Sequence, residues 1–188
     1  MGMKQTLDVI NRLEADGAIR RYAIAGAVAA YNYIEPTLTE DLDLLISFDQ
    51  KSEKPQPGLI TLQPVLTQLK RLGYDQFQNE GILIEGWPVQ FLPVADDLDA
   101  EALAQARDTE ILIPNAGGSV NTRLLRAEHL VAIALRIGRP KDFIRIAQFV
   151  EAKSVDLNAL RKVLHRHKLL KAWQSFCFRV GIKNPLSA

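Results

Sequence analysis

A chain of 188 residues, 47% hydrophobic and 24% charged, suits one compact domain, or a core of ordinary domain size with a small helical appendage. No apolar run approaches the ~20 residues needed to cross a bilayer, and a single cysteine, Cys177, excludes an intrachain disulfide or a cysteine-based metal cluster. The net charge of +1 hides an asymmetry: 9 basic against 18 acidic residues through Gly117, then 14 against 4 from Gly118 onward, a pattern of two sections with opposite potentials.

Taken in chain order, the N-terminal Met1-Gly2-Met3-Lys4-Gln5 leads into a charged amphipathic stretch, not a secretory signal, and the expectation is a cytoplasmic protein. Leu7, Ile10 and Leu13 recur at helical spacing over 5–16, ending at Gly17. Arg21 to Ile24 reads as a strand, Gly26 breaks it, and Ala27 to Tyr31 starts a helix that Pro36 stops. Asp41 to Ser47 is a second strand, followed by a polar loop with Pro55, Pro57 and Gly58. Helical spacing returns over 61–72 (Leu62, Val65, Leu66, Leu69) and closes at Gly73. Ile82–Glu85 and Val89–Leu92, around Gly86-Trp87-Pro88, predict a hairpin. A short helix over 99–106 and a strand over 110–113 precede Asn115-Ala116-Gly117-Gly118-Ser119, the most linker-like segment. Everything beyond reads as helical, roughly 123–137, 141–152, 156–167 and 169–180, with Gly138 and Pro140 at a helix end and start. The expected fold is α/β: a small mixed sheet with helices over 1–118, then a basic helical bundle over 119–188.

The chemistry concentrates between Tyr22 and Ile46. Asp41-Leu42-Asp43-Leu44 alternates acid and leucine, so in a strand both carboxylates face one way. Such a pair is either a polar sheet face or a place for a cation, and hard oxygen ligands suit Mg²⁺ alongside substrate phosphates. The order of strand, Gly26, helix and paired acids on the next strand resembles the nucleotidyltransferase (polymerase-β-like) superfamily. That resemblance implies a phosphate-binding turn at Gly26, Thr39 ahead of the acids, and Asp41 and Asp43 as ligands of Mg²⁺ or Mn²⁺. It also places the hairpin 84–93 where the superfamily carries a third acid, and Glu128-His129-Leu130 with Gly138-Arg139-Pro140-Lys141-Asp142 in a helical segment seen in small bacterial nucleotidyltransferase-like proteins.

Three departures stand out. Ala25 replaces the first glycine of the turn, fourteen residues stand between Gly26 and Asp41, and the third acid position falls on Gln90. A glutamine offers a neutral oxygen but no base, so Glu85 across the hairpin is a candidate substitute. Arg136, Arg139 and Lys141 are candidates to meet a triphosphate. Asp142 is explained by the helix dipole, and Cys177, among Trp173, Phe176 and Phe178, by packing. The basic run Arg161, Lys162, Arg166, Lys168, Lys171 has no interleaved aromatics, which leaves nucleic acid the lesser partner.

The reading that follows is a nucleoside triphosphate bound with Mg²⁺ (or Mn²⁺) at Asp41 and Asp43, with Gly26, Thr39, Gln90, Arg139 and Lys141 on the nucleotide, and a nucleoside monophosphate passed to a hydroxyl. The alternative is a lapsed module that binds a nucleotide or a protein partner, as in a toxin–antitoxin-like pair.

Overall fold

The computed structural model describes residues 2–36, 38–49, 62–113 and 118–187. The polar loop with Pro55, Pro57 and Gly58, and Asn115 to Gly117 of the linker-like segment, lie outside the described residues.

Helix α1 (Met3–Ala15) buries Thr6, Leu7, Ile10 and Leu13, the stripe its spacing predicts. Strand β1 (Arg21–Ile24), helix α2 (Gly26–Ala30) and strand β2 (Leu42–Ser47) follow, then helix α3 (Gln63–Arg71). Strands β3 (Phe77–Gln78), β4 (Gly81–Ile84) and β5 (Trp87–Pro93) lead to helix α4 (Asp97–Ala104). The hairpin β6 (Arg107–Ile113) and β7 (Gly118–Leu124) comes next. Helices α5 (Ala127–Ile137), α6 (Pro140–Glu151), α7 (Leu157–Arg166) and α8 (Leu170–Val180) close the chain, with a 3-10 turn at Pro185–Ser187.

The seven strands among the described residues join one mixed sheet in the order β3-β4-β5-β2-β1-β7-β6. The α/β expectation holds. Strand β2 sits near the middle, antiparallel to β1 and parallel to β5. Its Leu42, Leu44 and Ile46 are fully buried, whereas Asp43 and Ser47, on the opposite face by alternation, are only half-buried. That second face is not uniformly wet, since Leu45 between them is buried too, so the pleat gives Asp43 a half-buried setting beside core.

Two expectations are corrected. The β4–β5 turn is Glu85-Gly86, both with positive φ (51° and 91°), the pairing a tight two-residue hairpin needs. Trp87 and Pro88 belong to β5. Pro88 costs no ladder bond there, because its partner Leu83 sends its own N–H to the Gln76 carbonyl at 2.8 Å. The second correction is β7. Residues 118–124 were expected to lead into helix, yet they form a strand parallel to β1 and antiparallel to β6. Val120, Thr122 and Leu124 are buried on alternate positions, a period of two that threonine, asparagine and arginine disguise in a hydropathy reading.

Helix α5 ties the halves together. It buries Ala127, His129, Leu130, Val131, Ala132, Ala134 and Leu135, a near-complete apolar girdle, and packs against α2, α4, α6, α7 and α8. A polar latch reinforces this. Glu101 on α4 accepts from His129 Nε2 at 3.3 Å, from His167 Nε2 at 2.8 Å and from Arg166. Burial alone would raise the Glu101 pKa, but the hydrogen bonds from Arg166, His167 and His129 hold it down to about 2. Among the described residues, no helix is long and apolar enough to cross a membrane.

Candidate functional site

The site forms where β1 gives way to α2. Ala25 still pairs as a strand residue, its N–H donating to the Asp43 carbonyl at 2.9 Å. The next residue, Gly26, turns the chain with φ +56°. Its missing side chain matters because a Cβ built there would lie 1.9 Å from Asp43 Oδ2. Only glycine lets the backbone approach the carboxylate this closely.

Asp43 and Gln90 are in-register neighbours on parallel strands, so their side chains leave the sheet on the same face. Asp41 is exposed just before β2 and accepts a hydrogen bond from Thr39 Oγ1 at 2.8 Å. Burial, and then the Asp41 charge, push the Asp43 carboxyl above the usual range, while Arg145, Lys141 and Arg139 pull it back. The charges of three cations on α6 and its N-cap are therefore felt at Asp43. Lys141 and Arg139 were candidates from sequence; Arg145, one helical turn beyond Lys141, was not. The signal was there in the four-residue spacing, but only the docking of α6 gives it meaning.

The other candidates separate clearly. Arg139 is held by the buried Asp142, with Nε and Nη2 donating to its two carboxylate oxygens at 2.8 and 3.1 Å. Asp142 also accepts from the Arg139 backbone N–H at 3.1 Å, closing a capping box, so it does more than meet the helix dipole. Arg136 turns away from the acids, to Asp96 and to Asp99 at 2.8 Å. Glu85 is also displaced from the site. It occupies the β4–β5 turn and accepts from Tyr74 Oη at 2.5 Å, a bond that, ahead of burial, pushes the tyrosine up to about 12. A different acid meets Gln90: its Nε2 donates to Glu80 Oε2 at 2.9 Å. Glu80 stands in the turn between β3 and β4, a position that no spacing in the sequence connects with residue 90.

The donor set fits a divalent cation in part. Asp41 and Asp43 offer hard oxygens, and Asp43 is half-buried against the bare backbone of Gly26. Among the described residues, however, no group of three or more His, Cys, Asp or Glu side chains is arranged to hold a metal ion. Two protein carboxylates would have to be completed by water and phosphate oxygens.

No family model matches the chain, and no curated protein matches its sequence. Among solved structures, the chain is similar to an antigenic nucleotidyltransferase-like protein from Paracoccidioides brasiliensis, with a TM-score of 0.51 and 17% identity over 79% of this chain and 74% of that one. ANT(2")-Ia in complex with adenylyl-2"-tobramycin aligns at a TM-score of 0.39 and 16% identity, over 93% of this chain and 96% of that one. The first likeness establishes architecture: the fold is nucleotidyltransferase-like.

Proposed function

We propose that this chain binds a nucleoside triphosphate together with Mg²⁺ (or Mn²⁺) and transfers a nucleoside monophosphate to a hydroxyl acceptor. The observation that carries the reading is the Asp43 carboxylate, set against the bare backbone of Gly26 and acted on by Arg145, Lys141 and Arg139 from one helix. Acids and cations within reach of one another are what a metal–triphosphate complex requires, since it presents both signs of charge. In this reading residues 1–118 supply the carboxylates and residues 119–188 the cations.

Asp41 and Asp43 would hold the metal, which supplies charge neutralisation at the phosphates and a template for in-line displacement. Thr39 orients the Asp41 carboxylate through its 2.8 Å bond. The Gly26 backbone gives the phosphates close access, and Lys141 and Arg139 offset the charge that builds on the departing pyrophosphate.

A second reading has its own support. Gln90 stands beside Asp43 where a carboxylate would complete the acids, and an amide accepts no proton. On that observation the module binds without transferring, and serves as a nucleotide- or protein-binding partner of the toxin–antitoxin-like kind. Calorimetric titration with non-hydrolysable triphosphates, with Mg²⁺ and with EDTA, tests the shared premise. Binding that needs Mg²⁺ and is lost in Asp43→Asn is expected; metal-independent binding, unchanged in the variant, would falsify the site.

A further inference from the structure

We infer that Glu80 supplies the carboxylate that β5 lacks and takes the proton of the acceptor hydroxyl. This rests on the reading of the site as a nucleotidyl-transfer centre, and it bears directly on the choice between transfer and mere binding.

The placement of Glu80 is built into the fold. Gln90 and Asp43 leave the sheet side by side from parallel, in-register strands. The Gln90 amide donates to Glu80 Oε2 at 2.9 Å, which draws that carboxylate to the Asp43 face. The root of the turn is fixed as well. Gln78 pairs with Gly81 across it, and Asn79 takes the left-handed conformation at φ +54°. Gly81 is pressed so tightly on β5 that an added Cβ would fall 2.9 Å from the Val89 nitrogen. The turn carrying Glu80 is therefore seated against the residue next to Gln90. Arg139 senses both sides of this arrangement: after its bond to Asp142, the charges of Asp43 and Glu80 help to raise its pKa.

This geometry gives Gln90 a purpose. A carboxylate at position 90 would repel Glu80, whereas an amide holds it by hydrogen bonding and leaves its charge intact. In the step, the acceptor O–H proton goes to the Glu80 carboxylate, and the hydroxyl oxygen's electron pair forms the bond to the α-phosphorus. The bond from that phosphorus to the bridging oxygen breaks, and its electron pair leaves with pyrophosphate.

The experiment compares wild type, Glu80→Gln and the double variant E80Q/Q90E. Each is given the four nucleoside triphosphates labelled at the α-phosphate, Mg²⁺, and water and glycerol as hydroxyl acceptors. E80Q should lower transfer by roughly 10²–10⁴-fold, the usual worth of a general base. Its thermal midpoint with Mg²⁺ should match wild type, and its metal-free affinity for triphosphate should rise because a negative charge is gone. The double variant, with its carboxylate moved to position 90, should recover part of the rate. Wild type that binds triphosphate but transfers to neither acceptor overturns the inference, as does E80Q working at the wild-type rate; both leave the binding reading standing. Wild type that binds no triphosphate, and whose stability ignores Mg²⁺, removes the reading beneath it.

Discussion

Asp43 is held at a disadvantage by its own neighbourhood, because it is partly withdrawn from water and faces a second acid at Asp41. Its folded pKa lies above the unfolded value of about 3.8, so the native state binds that proton more tightly. The linked stability is therefore greatest in acid and declines as pH rises through the raised pKa. Asp43→Asn removes the like-charge contact and should raise the thermal midpoint at pH 7 in EDTA. On the proposed reading Mg²⁺ should stabilise wild type by about 2.7 kcal/mol at a hundredfold excess over Kd, and the same variant should lose that gain. A midpoint that falls in EDTA, or an undiminished Mg²⁺ response, would contradict this account of the residue. Gly26→Ala is the complementary test: its Cβ would meet Asp43 Oδ2 at 1.9 Å, from a backbone at φ +56°. It should cost about 1–3 kcal/mol in urea denaturation and abolish the Mg²⁺ response. The places of Gly26 and Asp43 in the fold were legible because strand alternation and the order of glycine and acids depend on sequence neighbours alone. Glu80 and Arg145 were not, because one needs the β3–β4–β5 register and the other the docking of α6.

Between elements, the Glu101 latch decides how firmly α4 stays joined to α5 and α7. The Glu101 pKa falls from the ordinary 4.5 to about 2, so its contribution is fully present above pH 4.5 and is lost as pH falls through about 2. His129 adds a second acid-sensitive step. Burial, opposed by Glu101, lowers its pKa from 6.5, so stability falls as pH drops below 6.5. With Nε2 turned to Glu101, its buried Nδ1 has no partner among the described residues, which is tolerable for a neutral ring and costly for a protonated one. Glu101→Gln should cost about 2 kcal/mol at pH 7, the scale of hydrogen bonds to a charged group. The gap from wild type, measured by urea titration, should narrow steadily from pH 5 to pH 2; a constant gap would show that the charge is irrelevant. The helices of this latch were readable from periodicity. The latch was not, since Glu101 and His167 meet only after α5 places α7 beside α4.

For the molecule as a whole, sequence pattern located most elements to within a few residues and missed the two-residue β3 as well as β7, whose polar alternation after a glycine-rich stretch looked like the approach to a helix. That strand bears on cooperativity. The two tryptophans report on different regions, Trp87 on the sheet and Trp173 on α8. Trp87→Phe and Trp173→Phe, each leaving one reporter, should show coincident urea midpoints because β7 and α5 join sheet and helices. Separate midpoints would mark residues 1–118 and 119–188 as independent domains. The position of β7 also reaches back into synthesis. Strand β1 is complete at Ile24, but the strand that covers its second edge begins at Gly118. At ~5–20 residues per second, a ribosome needs about 5 to 20 s to cover that interval. Throughout it the nascent chain carries a bare inner edge, the kind of surface that invites pairing with a neighbour. Slower translation lengthens that interval and should raise aggregation of the nascent chain.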